Sequence, residues 1–179
     1  MNGDLIIRKE ESNDYAYVRA LLNTAFASDP SQSSSESVLV ELLRQSPHFI
    51  DELALVAELN AQVVGYILLS EVLIKNENES FVSLALAPMA VLPDHQGRGI
   101  GSELIRQAHI KALRLGYRSI VLIGHEKYYP RFGYKRARDF NISFPFDVSD
   151  PNAMVLELQR DALKDIRGKV VYPDAFHFL

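Results

Sequence analysis

Apolar positions along the chain follow two rhythms, and the changes between them mark the predicted elements. Leu5-Ile6-Ile7-Arg8 reads as an opening strand, with a capping cluster at Ser12, Asn13 and Asp14 behind it. Val18, Leu21, Leu22 and Ala25 then recur at i, i+3, i+4 and i+7, which predicts an amphipathic helix. Residues 29–35 are polar and turn-forming, and Ser33 with Glu36 has capping-box spacing before Val38, Leu39, Leu42 and Leu43. A loop feeding a second, short helix is expected, either a surface linker or a segment that contacts substrate. Leu53 to Leu73 is rich in β-favouring residues, with Asn60-Ala61-Gln62 breaking it as a hairpin turn would. A polar break from Lys75 to Ser80 precedes a third run, Phe81 to Leu92, so an antiparallel meander follows.

Beyond Pro93 the period changes again. Leu104, Ile105, Ala108, Ala112 and Leu115 form one helical stripe closed by Gly116, and Ser119 to Ile123 is a short apolar strand. Strand, helix and strand over this length make a βαβ crossover, so two strands of the sheet should run parallel. A Tyr/Phe-rich turn, two strand candidates (Phe140 to Phe144 and Ala153 to Leu158) and a C-terminal tail complete the chain. In the tail, Tyr172-Pro173-Asp174-Ala175-Phe176 reads as a turn whose aromatic residues dock on the body or on another subunit, which keeps a homodimer in view. The expected fold class is α/β (α+β): a central mixed, mostly antiparallel sheet with a parallel βαβ crossover, flanked by helices. Residues 1–179 are expected to form a single domain.

Composition narrows the chemistry. With 47% hydrophobic and 23% charged residues the chain is globular, and without cysteine it has no disulfide, thiolate metal site or cysteine nucleophile. The net charge of −4 provides no global positive field to recruit nucleic acid. No long apolar window predicts a membrane span, no basic and apolar leader predicts a secretory signal, and a cytoplasmic protein is the expectation. His48, His95, His109 and His177 lack metal-ligand spacing, so no metal is predicted.

The informative stretch is Gln96-Gly97-Arg98-Gly99-Ile100-Gly101-Ser102, lying between a strand and a helix. The first turn of a helix carries amides without carbonyl partners, and these together with the macrodipole favour an anion. Glycines let the backbone come close to it. Arg98 adds charge on a locally basic helix with Arg106, Lys111 and Arg114. A phosphate-binding Walker loop would need a lysine that is missing here, and a dinucleotide fingerprint would need a glycine where Ser102 or Leu104 stands.

Gln96, Gly99 and Gly101 do fit Gln-x-x-Gly-x-Gly, preceded by the strand end Met89-Ala90-Val91-Leu92-Pro93. This resembles the acetyl-CoA motif of the GNAT superfamily of N-acyltransferases. Tyr128-Tyr129-Pro130-Arg131-Phe132-Gly133-Tyr134 is similar to that superfamily's Phe-Tyr-x-x-x-Gly-Phe segment. Val-Leu-Pro before Gln-Gly-Arg-Gly-Ile-Gly, joined to the Gly124 to Gly133 segment, looks most like the acetyltransferases of the YhbS type. The resemblance covers nearly the whole chain. It implies that backbone groups of Met89, Ala90 and Val91 pair with the pantetheine arm of acetyl-CoA, while Gln96, Gly97, Arg98, Gly99, Ile100, Gly101 and Ser102 form the pyrophosphate site. It also implies that an amide near Ala90 or Val91 polarises the thioester carbonyl, as an oxyanion hole does.

Without a cysteine or a Gly-x-Ser-x-Gly elbow, direct attack of a bound primary amine on the thioester is the simpler route. Such an amine must lose a proton and the departing thiolate must gain one. By resemblance Tyr129 supplies the acid, with Tyr128 as its neighbour. Histone-acetylating relatives place their glutamate base where Ala85 stands, which leaves His125, Glu71 or a water relay as base. The acceptor pocket is expected from residues 26–45 and 135–175, where Asp29, Glu36 and Glu41 suit a cationic acceptor as well as solvation. The alternative function is a non-catalytic acyl-CoA-binding regulatory module.

Overall fold

The structure is a computed structural model that describes residues 4–28 and 35–178; Asp29 and the Ser33 half of the expected capping box fall outside them. Strand β1 (Leu5–Lys9) pairs antiparallel with β2 (Phe49–Leu59), β2 with β3 (Gln62–Lys75), and β3 with β4 (Ser80–Val91). The β2–β3 hairpin closes on Asn60 and Ala61, both at positive φ (52° and 61°), the left-handed pair that matches strand twist in a two-residue turn. Across β3–β4, the Asn76 side-chain oxygen accepts the amides of Asn78 and Glu79, each at 2.9 Å. The predicted meander is therefore present, fixed by local polar chemistry at both turns.

Helix α1 (Tyr15–Ala25) follows a 3-10 turn whose Asp14 carboxylate accepts the Glu11 amide at 2.8 Å and binds Arg8 at 2.7 Å. Helix α2 (Ser35–Arg44) lies beside α1 and buries Leu39, Val40 and Leu43. The expected stripe included Val38, which instead is 41% exposed. The buried positions are Ser37, Leu39, Val40 and Leu43, with Leu42 half-buried against the same core, while Glu36 is half-buried one turn before Leu39 and Val40. Helix α3 (Ile100–Arg114) buries Leu104, Ile105, Ala108 and Ala112, whereas Leu115 lies beyond the helix and is exposed. At its end Tyr117 donates to the Ala112 carbonyl (3.1 Å) around Gly116.

Strand β5 (Ser119–Ile123) runs parallel to β4, and β8 (Ala153–Glu157) lies antiparallel on its other edge. Two short strands escape the sequence pattern: β6 (Lys135–Arg136), which pairs with β8, and β9 (Gly168–Val171), which extends the β3 edge at Leu73–Lys75. β7 (Ile142–Ser143) pairs parallel with β9, a second parallel pair. The expected tail is therefore a strand followed by a turn that seats Phe176, 2% exposed, against the body near α2. The described residues form one sheet, β1-β2-β3-β4-β5-β8-β6, with β9 and β7 joined at the β3 edge.

Alternation along the strands gives the sheet two cores. Ala54 and Val56 face α1, α2 and the C-terminal turn, while Leu53, Leu55 and Ala57 face α3. Inside the first core Glu10 is 7% exposed, paired with the Arg44 guanidinium and approached by the Tyr66 hydroxyl at 3.4 Å. Burial holds the Glu10 carboxyl above its ordinary range, outweighing Arg44. Beside the second core, His109 Nε2 and the Tyr134 hydroxyl lie 3.0 Å apart, and burial pushes the imidazole down to about 4.

Two outcomes follow. Arg44→Met strands the Glu10 carboxylate and should cost about 3–5 kcal/mol in urea unfolding at pH 7, whereas Arg19→Met, at an exposed pair with Glu41, should cost less than about 1 kcal/mol. His109 prefers its neutral form in the folded state. Its contribution, on the order of 3 kcal/mol, is complete above pH 6.5 and is lost as pH falls toward about 4. In unfolding series from pH 4 to 8, the stability difference between wild type and His109→Gln should shrink over that window.

Candidate active site

β4 and β5 pair only at Leu84–Ile120 and Ala85–Val121 and then part. Two local features enforce this. Pro88 has no N–H to offer a ladder, and β4 carries a bulge against β3 between Leu86 and Met89. β5 meanwhile stays with β8 to Ile123, and Gly124 continues by donating to the Asn152 carbonyl at 2.9 Å. A cleft of about 1210 Å³ opens between the parted strands. Met89, Ala90 and Val91 line it, held by β3 through Ile67, Tyr66 and Gly65, so their other edge has no strand beside it.

At one end stands the glycine turn. Gly99 is the N-cap of α3 at φ 84°, a left-handed conformation unfavourable for other residues, and no side chain caps the helix. The first helix bond is Glu103 N–H to the Gly99 carbonyl (3.0 Å), so the amides of Ile100, Gly101 and Ser102 have no intrahelical acceptor. Gly101 serves a different purpose, since a Cβ there would meet the Tyr128 hydroxyl at 3.0 Å and Met89 Sδ at 3.6 Å. Gln96, Gly97, Gly99, Ile100, Gly101 and Ser102 all line the cleft. Gln96 also braces it, its Nε2 donating to the Val91 carbonyl at 3.0 Å.

Arg98 is exposed and does not line the cleft. The cation at this end is Arg131, which the sequence reading passed over. It donates to Ser102 Oγ (3.1 Å), and its guanidinium lies 4.1 Å from the Tyr128 ring centroid. A signal existed in its place two residues after Tyr129, where one turn of 3-10 helix (Tyr129–Phe132) points it back across the glycine turn. His95 also lines this end, with Nδ1 buried and unpartnered among the described residues.

Tyr129 sits midway on the wall, 9% exposed, its ring seated over Gly124 and edge-on to Tyr128 and Tyr134. Burial pushes its phenol well above the ordinary value, with Tyr128 adding to the effect, so it is protonated at neutral pH. His125 is exposed on the same rim, and its carbonyl accepts the Tyr128 amide at 2.9 Å. Glu71 is not among the residues that line the cleft, and it accepts the Tyr117 hydroxyl at 2.5 Å. Ala85 lines the cleft and offers no acid. At the far end stand Phe26, Glu36, Phe146, Tyr172 and Phe176. Among the described residues no group of three His, Asp or Glu could hold a metal ion, and no helix is long and apolar enough to cross a membrane.

The family described as acetyltransferase (GNAT) domain matches residues 51–136. The uncharacterised N-acetyltransferase YjhQ of Escherichia coli is 35% identical over 142 residues, 78% of this chain and 75% of that protein. YhbS of the same organism is 30% identical over 174 residues, 97% of this chain and 99% of YhbS. The crystal structure of E. coli YhbS in complex with CoA superposes with a TM-score of 0.89 at 28% identity, covering 99% of this chain and 94% of that one. A Brucella melitensis GNAT acetyltransferase in complex with acetyl-CoA gives 0.79 at 33% identity over 97% and 99% of the two chains. With relatives at 35% and 30% identity aligned over most of its length, this chain belongs to the GNAT family of N-acetyltransferases.

Proposed function

We propose that residues 1–179 act as a single N-acetyltransferase domain that moves the acetyl group of acetyl-CoA to a primary amine by direct attack. The cleft between β4 and β5 carries this reading, because it joins an amide-rich cationic end to a second pocket on the opposite face of the sheet, with Tyr129 between them. The relatives crystallised with CoA and acetyl-CoA support the choice of donor.

The residues fit that donor. The amides of Ile100, Gly101 and Ser102, together with Arg131, would hold its diphosphate, since unsatisfied donors and a guanidinium are matched by phosphate oxygens. The open edge of Met89, Ala90 and Val91 would receive the pantetheine arm as an added strand. An amide at Ala90 or Val91 would face the thioester oxygen, where negative charge grows during attack. Tyr129 would give its proton to the departing sulfur. Burial raises the phenol, but it raises the proton affinity of a thiolate in the same pocket too, so the transfer stays balanced. Two wall residues, His125 and Glu36, are able to take the amine's proton.

Calorimetry with acetyl-CoA tests the donor site. Arg131→Ala should weaken binding about tenfold, the loss of one charge-assisted contact, while Arg98→Ala should weaken it less than about threefold. Equal losses from both variants would place the diphosphate elsewhere. Tyr129→Phe should leave acetyl-CoA binding intact and lower kcat about 10²-fold in a thiol-release assay; an unchanged kcat removes Tyr129 as the acid.

A further inference from the structure

Past Tyr129 the cleft reaches the face of the sheet covered by α1, α2 and the C-terminal turn, and its wall turns aromatic. Tyr172 touches Phe146 on one side and Phe176 on the other, with ring centroids 5.1 and 4.7 Å apart, and Phe26 lines the same end. Among the described residues of the wall, Glu36 is the one carboxylate. It is half-buried in the first turn of α2, one turn before Leu39 and Val40, and its Oε2 is buried with no hydrogen-bond partner among the described residues.

Among the described residues, the charges on α1 and α2 and in the C-terminal turn have other neighbours. Arg19 of α1 holds Glu41 at 2.5 Å, Arg44 holds Glu10, and Asp174 of the C-terminal turn lies 3.8 Å from His177. Tyr15 of α1 lies under the Arg44 guanidinium. Elsewhere on the wall the titratable groups are His95, His125, Tyr128, Tyr129, Arg131 and Tyr172. Burial alone raises the Glu36 carboxyl to about 7, so near neutral pH it exchanges a proton readily. A carboxylate with one oxygen buried and no partner for it among the described residues is a seat for a cation brought by a ligand.

We propose that the acceptor is a primary amine on an apolar body of about one aromatic ring, that the body packs among Phe26, Phe146 and Tyr172, and that Glu36 is the catalytic residue receiving its ammonium. This rests on the acetyltransferase reading above. Glu36 takes one proton from the ammonium and later releases it to solvent. The freed nitrogen forms the C–N bond as the C–S bond breaks. The sulfur takes the Tyr129 proton, and the second proton shed by nitrogen restores the phenol.

The experiment uses 2-phenylethylamine and spermidine as acceptor probes with wild type and Glu36→Gln, following thiol release, acetyl-CoA binding and the melting temperature at pH 8. Wild type should favour phenylethylamine by at least about tenfold in kcat/KM, with a limb rising through about pH 7. Glu36→Gln should lose that limb and about 10²-fold in kcat/KM while binding acetyl-CoA normally. The folded protein binds the Glu36 proton more tightly than the unfolded chain does, so stability is lost as pH rises from 4.5 through about 7. Glu36→Gln should therefore melt higher than wild type at pH 8, which a merely structural glutamate would not do. A variant within threefold of wild type, or one that melts lower or binds acetyl-CoA poorly, overturns the role of Glu36. Preference for spermidine, or acetylation of neither amine by a wild type that binds acetyl-CoA, overturns the acceptor class. Wild type that fails to bind acetyl-CoA overturns the transferase reading itself.

Discussion

The parting of β4 from β5 after two register pairs is the constraint on which the site depends. A sheet that stayed closed there would seal one core from the other, and a ligand could reach only one face. Each strand keeps a partner on its outer edge, β3 for β4 and β8 for β5, so the gap opens without leaving either strand unsupported. The inner edge of Met89–Val91 is thereby left without a strand partner inside the protein, a position where backbone N–H and C=O groups invite a ligand to extend the ladder. The Gln96 amide on the Val91 carbonyl then ties the end of β4 to the turn that opens α3, so strand edge and helix terminus hold a fixed relation.

Charge within the cleft runs opposite to the protein as a whole. The chain carries −4, yet the α3 end combines a helix N-terminus without a capping side chain and Arg131, while the far end holds one carboxylate among aromatic rings. Arg131 is positioned by stacking on Tyr128 as well as by Ser102, and Tyr128 in turn reaches the space that Gly101 leaves. Removing side chains from the turn therefore does more than admit an anion; it lets the aromatic segment after β5 close down on the turn and bring its own cation.

Where periodicity and turn chemistry agree, the fold was legible: Asn60-Ala61, the stripe of α3 and the parallel β4–β5 pair all follow from local signals. β6 and β9 were not, because strands of two and four residues have too few positions to show alternation and owe their existence to edges supplied by β8 and β3. On the site, the glycine turn and Tyr129 were readable as motifs and reach the cleft wall, whereas Arg98 was read from its place in the turn and Arg131, which lines the cleft, was given no role. Which arginine reaches a turn depends on how a later 3-10 segment folds back, and spacing along α3 holds no information about that. Val38 shows the same limit, since a short apolar run fits two helical faces and tertiary packing selects one.

The two glutamates drawn into the α1/α2 side of the molecule show how environment divides one residue type between two tasks. Both carboxyls are raised by burial. Glu10 receives Arg44 and the Tyr66 hydroxyl, so its charge is neutralised inside the protein, and the group joins the strand, the helix and the sheet around it. Glu36, on the same helix as Arg44, has no partner for Oε2 among the described residues and lines the cleft. A fold selected only for stability would give the second acid a cation or replace it with an apolar residue on the stripe of Leu39, Val40 and Leu43. On the proposal above, Glu36 gains its cation only when the acceptor is bound, whereas Glu10 has Arg44 beside it without any ligand.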